Sequence, residues 1–361
     1  MLNLKDIVSE FAVEGKVEEV LPLGAGHIND SYKVRTQGGA PNYVLQRINH
    51  HIFKDVDALQ NNIKRVTDHI RKKLSEKNEP DIARKVLALT PTKQGALYHC
   101  TPDGNYWRMA PYIANSKSVD EVSPKLSFLA GRAFGNFQSM LADLPAPPLA
   151  ETIPNFHNIE SRLVTFREAV KSNLAGRLLK VEDIVAEIEK RADEMCKVEQ
   201  LHRDGKLPKR INHCDTKVNN ILFDGNTDEA LCVVDLDTVM PGFVVSDFGD
   251  FMRTGANHGK EDDENLSNVF FRMDIFEAYA KGYLETAKGF LTPLEVELLP
   301  FGAKLLTYMQ TVRFLTDYLD GDTYYKIKHP EHNLQRTKAQ LKLLLSMEEN
   351  YPKMLELVTK L

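Results

Sequence analysis

Strand-forming segments crowd into the first third of this chain, and helical periodicity governs most of the sequence beyond residue 114. Segments 17–23 (VEEVLPL), 31–36 (SYKVRT) and 43–48 (YVLQRI) are rich in Val, Tyr, Leu and Ile and are separated by Gly- or Pro-containing turns, as antiparallel strands require. Val56, Leu59, Ile63, Val66, Ile70 and Leu74 then recur every three or four residues with polar residues between them, which predicts one long amphipathic helix. Further short strands are expected near 83–90, 95–100 and 105–109. Beyond them a helix around 126–137 stops before the proline-rich 141–154, and longer helices are expected at 162–175, 182–202, 266–287, 294–319 and 333–348. One strand-rich stretch, 221–236, interrupts this helical part. The expectation is an α+β chain with a strand-rich first domain, 1–111, and a larger, mainly helical second domain, 112–361.

Composition narrows the function classes. With 42% hydrophobic and 27% charged residues, the 361-residue chain has the makeup of a globular protein with a real core. Its net charge of -5, without a long basic block, gives no electrostatic reason to seek a nucleic-acid backbone. No apolar run is long enough to cross a bilayer, and Asp6, Glu10 and Glu14 interrupt the start where a signal peptide would stay apolar, so a cytoplasmic protein with no membrane partner is expected. Cys100, Cys196, Cys214 and Cys232 form no compact disulfide pattern and read as reduced thiols.

The chemistry concentrates in 211–250, INHCDTKVNNILFDGNTDEALCVVDLDTVMPGFVVSDFGD. His213, Asp215 and Asn220 make an H-x-D-x-x-x-x-N pattern, followed by two apolar stretches joined through DGNTDEA, which predicts a hairpin that returns the chain to Asp235. Phosphoryl transfer needs a carboxylate within reach of an attacking hydroxyl and oxygen ligands for Mg²⁺ against nucleotide phosphates. Asp215 suits the first task, Asn220 and Asp235 the second. An isolated HxD pair can equally cap a helix and close a turn; the added Asn220, hairpin and second acid at Asp237 favour chemistry. A Cys-His-Asp nucleophile is disfavoured, because adjacent residues make poor triad geometry.

These residues resemble those of the aminoglycoside phosphotransferase and choline kinase superfamily, relatives of the protein kinases. GAGHINDSY (24–32), YVLQRIN (43–49), GRAFGNFQ (131–138), HCDTKVNNIL (213–222), VVDLDTVMPG (233–242), RFLTDYLDGDTYY (313–325) and YKIKHPEHNLQRT (325–337) are similar, in the same order, to segments of the bacterial N-acetylhexosamine 1-kinases within it. The resemblance implies a two-lobed protein-kinase-like fold, ATP with Mg²⁺, and phosphorylation of the anomeric hydroxyl of GlcNAc or GalNAc. It makes Asp215 the catalytic base in contact with the acceptor, Asn220 and Asp235 the Mg²⁺ ligands, Asp237 a supporting acid and His213 a structural residue. It places the adenine near Pro111, Tyr112 and Ile113, and the sugar near Arg313 and Tyr324, with Asp317, His27 and Asn29 as further partners. Other small-molecule kinases of the superfamily, for aminoglycosides, choline or homoserine, are the alternative, as is a non-catalytic ligand-binding relative.

Three features remain open in the residues alone. Gly24 and Gly26 permit close backbone approach to phosphates, yet a Gly-x-Gly turn is also ordinary hairpin chemistry. Gln46 stands where kinase-like folds place a phosphate-binding Lys, so that contact falls to Gln46, to Arg47 or to a basic residue elsewhere. Arg313 and Asp317, four residues apart, are either sugar contacts or a surface ion pair. The acidic EDDE at 261–264 reads as a solvated face.

Overall fold

The computed structural model describes residues 3–24 and 28–361, which fold as two compact units. Unit 1 gathers Met1–Ser118, Asp143–Pro154 and Ile221–Met240; unit 2 gathers the remainder.

Unit 1 begins with α1 (Leu4–Ser9), capped by the Asn3 side chain, and continues into β1 (Val17–Pro22), β2 (Asp30–Thr36) and β3 (Tyr43–Ile48). The long amphipathic helix is α2 (Val56–Glu76), which buries all six residues of the predicted stripe. After the single turn α3 (Ile82–Lys85) come β4 (His99–Cys100), β5 (Tyr106–Pro111) and β6 (Ser116–Lys117). An antiparallel sheet runs β1-β2-β3-β5-β4. Alternation decides its buried face: Val34, Tyr43, Leu45, Trp107 and Met109 pack on Ile7, Val8 and Phe11, leaving the intervening side chains for the opposite face. The strand expected at 83–90 is instead α3 and an irregular run touching the sheet at one bridge, Thr90 to Met109. Arg84 explains the turn, since its guanidinium is drawn to Ala114 O, Asn115 O and Asp224. Of 95–100, only the last two residues pair, at the sheet edge.

A single cut after residue 111 follows the end of β5, but the compact units are discontinuous in sequence. Asn62, on α2, bonds both Ala150 and Val239 O and so gathers the proline-rich segment and residues up to 240 into unit 1.

Unit 2 is built on α4 (Pro124–Leu141), α5 (Ile159–Ser172), α6 (Glu182–Glu189), α7 (Ala192–Met195), α8 (Lys197–Arg203) and the short strand β7 (Arg210–Asn212). The hairpin of unit 1, β8 (Ile221–Asp224) and β9 (Ala230–Val233), with β6 beside β8, interrupts it. Past β10 (Met240–Gly242) lie α9 (Val244–Gly255), α10 (Met273–Ala287), α11 (Pro293–Leu319) and α12 (His332–Lys360). The helix expected over 182–202 is broken into three, where Arg191 turns inward to Glu187 and Glu348. Helices α9 and α11 touch backbone to backbone: a Cβ at Gly249 would collide with Gly302 O, and one at Gly302 with Val245 O. The 261–264 acids are not merely solvated, since Glu261 pairs with Arg253 and Asp262 with Lys328 and His332. None of the four cysteines is in a disulfide, and among the described residues no helix is long and apolar enough to cross a membrane.

Candidate active site

In unit 2 the loop 213–220 is set by carboxylates from α9. Asp247 accepts the backbone N–H of His213 and of Cys214, at 2.7 and 2.8 Å, and Asp250 accepts that of Thr216 at 2.9 Å. These bonds hold Cys214 at φ 64°, a left-handed conformation costly for a residue with a Cβ. His213 is fully buried, edge-on to Phe134 and Phe137, and its Nδ1 accepts the Asp215 N–H at 3.3 Å. Its imidazole therefore organises backbone.

Asp215 emerges from this frame between two donors. Lys217 Nζ lies 2.9 Å from Oδ1, and Asn220 Nδ2 donates to Oδ2 at 3.1 Å and to the Asp215 carbonyl at 2.8 Å. Burial opposes its charge, but the Lys217 ammonium, aided by His213 and Asn220, outweighs that and holds the carboxyl below its ordinary value. A carboxylate ionised at neutral pH accepts a hydrogen bond from an incoming hydroxyl. Lys217 was missed in the sequence reading; its position two residues after Asp215 was the available signal. With its amide nitrogen committed to Asp215, Asn220 has its oxygen left to offer a hard cation.

The 241–361 part of unit 2 holds three of the residues expected at the acceptor, Arg313, Asp317 and Tyr324. Asp317 is buried and accepts the N–H groups of Tyr324 and Tyr325, at 2.7 and 3.0 Å, and Asn333 Nδ2 at 2.8 Å. It therefore fixes the turn carrying the two tyrosines and is not the ion-pair partner of Arg313. Arg313 donates to Gln310 Oε1, and its guanidinium lies 5.7, 5.9 and 5.6 Å from the rings of Phe156, Tyr324 and Tyr325.

In unit 1, Asp235 leaves β9 at φ 59° and opens a tight turn through Asp237. Asp237 is buried, with its carboxylate gripped by both Arg108 Nη atoms and by Asn29 Nδ2. Asn29 also accepts the Asn49 N–H at 2.9 Å, so its amide is engaged within this unit. Gln46 faces Arg108 across the pairing of β3 and β5, donating to Ser31 Oγ and accepting from Arg108 Nε at 2.9 Å. Arg47 instead pairs with Asp30. A cation thus does stand beside the Gln46 position, on β5, where strand register had to be known to find it. Gly24 has φ 67° and open space at its Cβ position; Gly26 and His27 lie outside the described residues. Pro111 ends β5, the Tyr112 N–H is bonded to Asn42 O and its ring lies 3.9 Å from Lys33 Nζ, and the Ile113 carbonyl accepts Ser116 Oγ.

A strand-rich unit and a helical unit, with an Asp-Lys-Asn loop in one and an Asp turn in the other, define a protein of the kinase-like fold class. The comparisons agree. Residues 19–287 match the phosphotransferase enzyme family, and the chain belongs to it. The fold is shared with an aminoglycoside phosphotransferase from Alicyclobacillus acidocaldarius (TM-score 0.62, 10% identity, covering 100% of this chain and 98% of that one). It is shared too with spectinomycin phosphotransferase in complex with ADP and spectinomycin (0.56, 12%, 98% and 98%) and with choline kinase from Cryptosporidium parvum (0.54, 13%, 95% and 92%).

Proposed function

We propose that this phosphotransferase uses ATP and Mg²⁺ to phosphorylate the anomeric hydroxyl of an N-acetylhexosamine, GlcNAc or GalNAc. The observation that carries this reading is Arg313, a guanidinium with no carboxylate partner among the described residues, set on three aromatic rings in the same unit as Asp215. Aminoglycosides, choline and ethanolamine are cationic, and an uncompensated guanidinium repels them. A hydroxylated ring suits it: aromatic faces take the apolar face of a pyranose, and the fork donates to its oxygens. The similarity of 313–337 to N-acetylhexosamine kinases supports the same choice.

In this reading Asp215 accepts the proton of the anomeric hydroxyl, and Lys217 keeps it ionised until then. Asn220, through its amide oxygen, and Asp235 would hold Mg²⁺, matching an ion that takes one or two carboxylates and keeps several waters. Held by these residues, the metal would supply positive charge that offsets the negative charge of the nucleotide phosphates. Pairing of Ile221 with Val233 supports this division of labour, because the chain enters β8 from Asn220 and leaves β9 toward Asp235 at the same end of the hairpin. Gly24, Gly26, Gln46 and the 111–113 segment are proposed as nucleotide contacts, Arg313 and Tyr324 as sugar contacts with His27, and Asp317 as the residue that positions Tyr324. The cytoplasm, where ATP is plentiful, is the proposed location.

Labelled-ATP assays over neutral N-acetylhexosamines, aminoglycosides, choline, ethanolamine and homoserine test the proposal, with phosphorus NMR locating the new ester. A sugar 1-phosphate is the expected product. Transfer only to an amine-bearing acceptor, or ATP binding with no transfer to any acceptor, rejects it.

A further inference from the structure

The acidic run 261–264 lies in the loop of unit 2 between α9 and α10, closed at its base where Asn257 pairs with Phe271. The Phe271 N–H donates to Ser346 Oγ, so that base rests on α12. Asp263 serves the loop itself, accepting the Asn265 N–H at 3.0 Å and the Asn268 side-chain amide at 3.3 Å. Glu261 and Asp262, adjacent in the chain, instead reach partners on two different elements.

Glu261 leads to the catalytic loop. Its Oε1 accepts Arg253 Nη1 at 2.6 Å, and the same guanidinium donates Nη2 to Asp250 Oδ1 at 3.2 Å. Asp250 Oδ2 in turn accepts the N–H of Thr216, the residue after Asp215, at 2.9 Å. Burial opposes the charge of Arg253, but Asp250 and then Glu261 outweigh it and raise the guanidinium above its ordinary range. Arg253 is thus clamped between the acid that frames the catalytic loop and the acid of the 257–271 loop.

Asp262 leads to the tyrosine turn. Its Oδ2 lies 2.7 Å from Lys328 Nζ and 3.1 Å from His332 Nε2, and its carbonyl accepts Gln335 Nε2. His332 is buried, and its Nδ1 accepts the Lys328 N–H at 3.2 Å, which leaves a proton on Nε2 to donate to Asp262. Lys328 stands three residues past Tyr325, whose hydroxyl accepts Gln310 Nε2 at 3.1 Å, and Gln310 Oε1 accepts Arg313. Burial chiefly raises the Tyr325 hydroxyl above its ordinary value, and the Glu261 charge adds to this, as expected of a loop lying beside that turn.

Bonds therefore run from the segment after the tyrosine turn, through Asp262 and Glu261, to the neighbour of Asp215, and only one planar peptide separates the two acids. We propose that Glu261 and Asp262 are positioning residues for phosphoryl transfer: together they form a strut that fixes the acceptor turn relative to the catalytic loop and so sets where the reacting hydroxyl meets Asp215. Both act through other residues. The inference rests on the assignment above of the acceptor to Arg313 and Tyr324 and of the base to Asp215, and it holds for whichever hydroxylated acceptor the enzyme takes. Misplacing a reacting group by about 1 Å can cost about a hundredfold in rate, so such a strut has a kinetic signature.

The test follows ATP consumed and acceptor phosphorylated in the same reaction, for Glu261→Ala, Asp262→Ala and the double variant, each shown by circular dichroism to be folded at the assay temperature. The acceptor is GlcNAc, or the best acceptor of the panel above. Each single variant is expected to lower kcat/KM for the acceptor about tenfold or more while KM for ATP stays within about twofold, and to raise the share of ATP lost to water. The double variant should be no worse than the worse single, because either cut severs the same strut. Glu261→Gln, which keeps an oxygen for Arg253, should retain more activity than Glu261→Ala. Unchanged kcat/KM in both singles, or losses that add in the double variant, overturns the strut and leaves the proposed reaction standing. Losses shared equally between acceptor and ATP, with no added hydrolysis, also overturn it, since that is the mark of a loosened fold. A wild type that transfers to no acceptor rejects the acceptor and base assignments, and this inference with them.

Discussion

Lys217 sets the charge state of Asp215, and that relation can be titrated. Its ammonium is the chief influence holding the Asp215 carboxyl down against burial, so Lys217→Met should raise that pKa. If ionised Asp215 is the base, the acid limb of the kcat/KM profile then shifts to higher pH, and an unshifted limb separates Asp215 from the base. Asp215→Asn, which keeps the shape and the Asn220 neighbour, should lower kcat by about a hundredfold or more with native melting. The Arg108 and Asp237 pair obeys a different rule. Both partners are buried, so Arg108→Met leaves a carboxylate uncompensated and should cost about 3 to 5 kcal/mol in denaturant melts. The double variant Arg108→Met/Asp237→Leu should recover much of that loss, because it removes the stranded charge. A single variant as stable as the parent would show that the pair is idle.

At the scale of elements, a loop is fastened to the start of α12 by one acid. Asp262 accepts from Lys328 and His332, and Lys328 leads the causes that bring its carboxyl to about 2, below the ordinary 3.8. A carboxyl depressed on folding stabilises above its unfolded pKa, and that stability is lost as pH falls through the folded value. Melts between pH 5 and 2, taken as about the window these two values define, should therefore show about 1 to 2 kcal/mol of extra acid loss in the wild type that Asp262→Asn lacks. Periodicity foretold α2 and α11 closely, since a long apolar stripe leaves few alternatives. It misjudged 182–202 and 83–90 because inward turns at Arg191 and Arg84 answer to distant partners, Glu348 and Asp224, that no local window contains.

For the molecule as a whole, ligand linkage gives the simplest readout of the proposed metal ligands. A ligand bound only by the folded protein stabilises it, by about 2.7 kcal/mol at a hundredfold excess over Kd. ATP with Mg²⁺ should raise the melting temperature, chelation of the metal should remove most of that rise, and Asp235→Ala should abolish the metal-dependent part while Asp215→Asn retains it. Equal metal dependence in Asp235→Ala and wild type would move the ligand role to another residue. The sequence by itself determined the sheet-first, helix-later order, the six-residue stripe of α2, and the loop from His213 to Asn220, because each rests on neighbours in the chain or on a fixed period. It could not determine that Arg108 stands against Gln46, that Asp317 serves the tyrosine turn instead of Arg313, or that Arg313 finds no carboxylate among the described residues. Those outcomes depend on strand register and on which helices pack together. A charged side chain can reach partners many residues away, so its partner is chosen by the tertiary fold and by the cost of burying it alone.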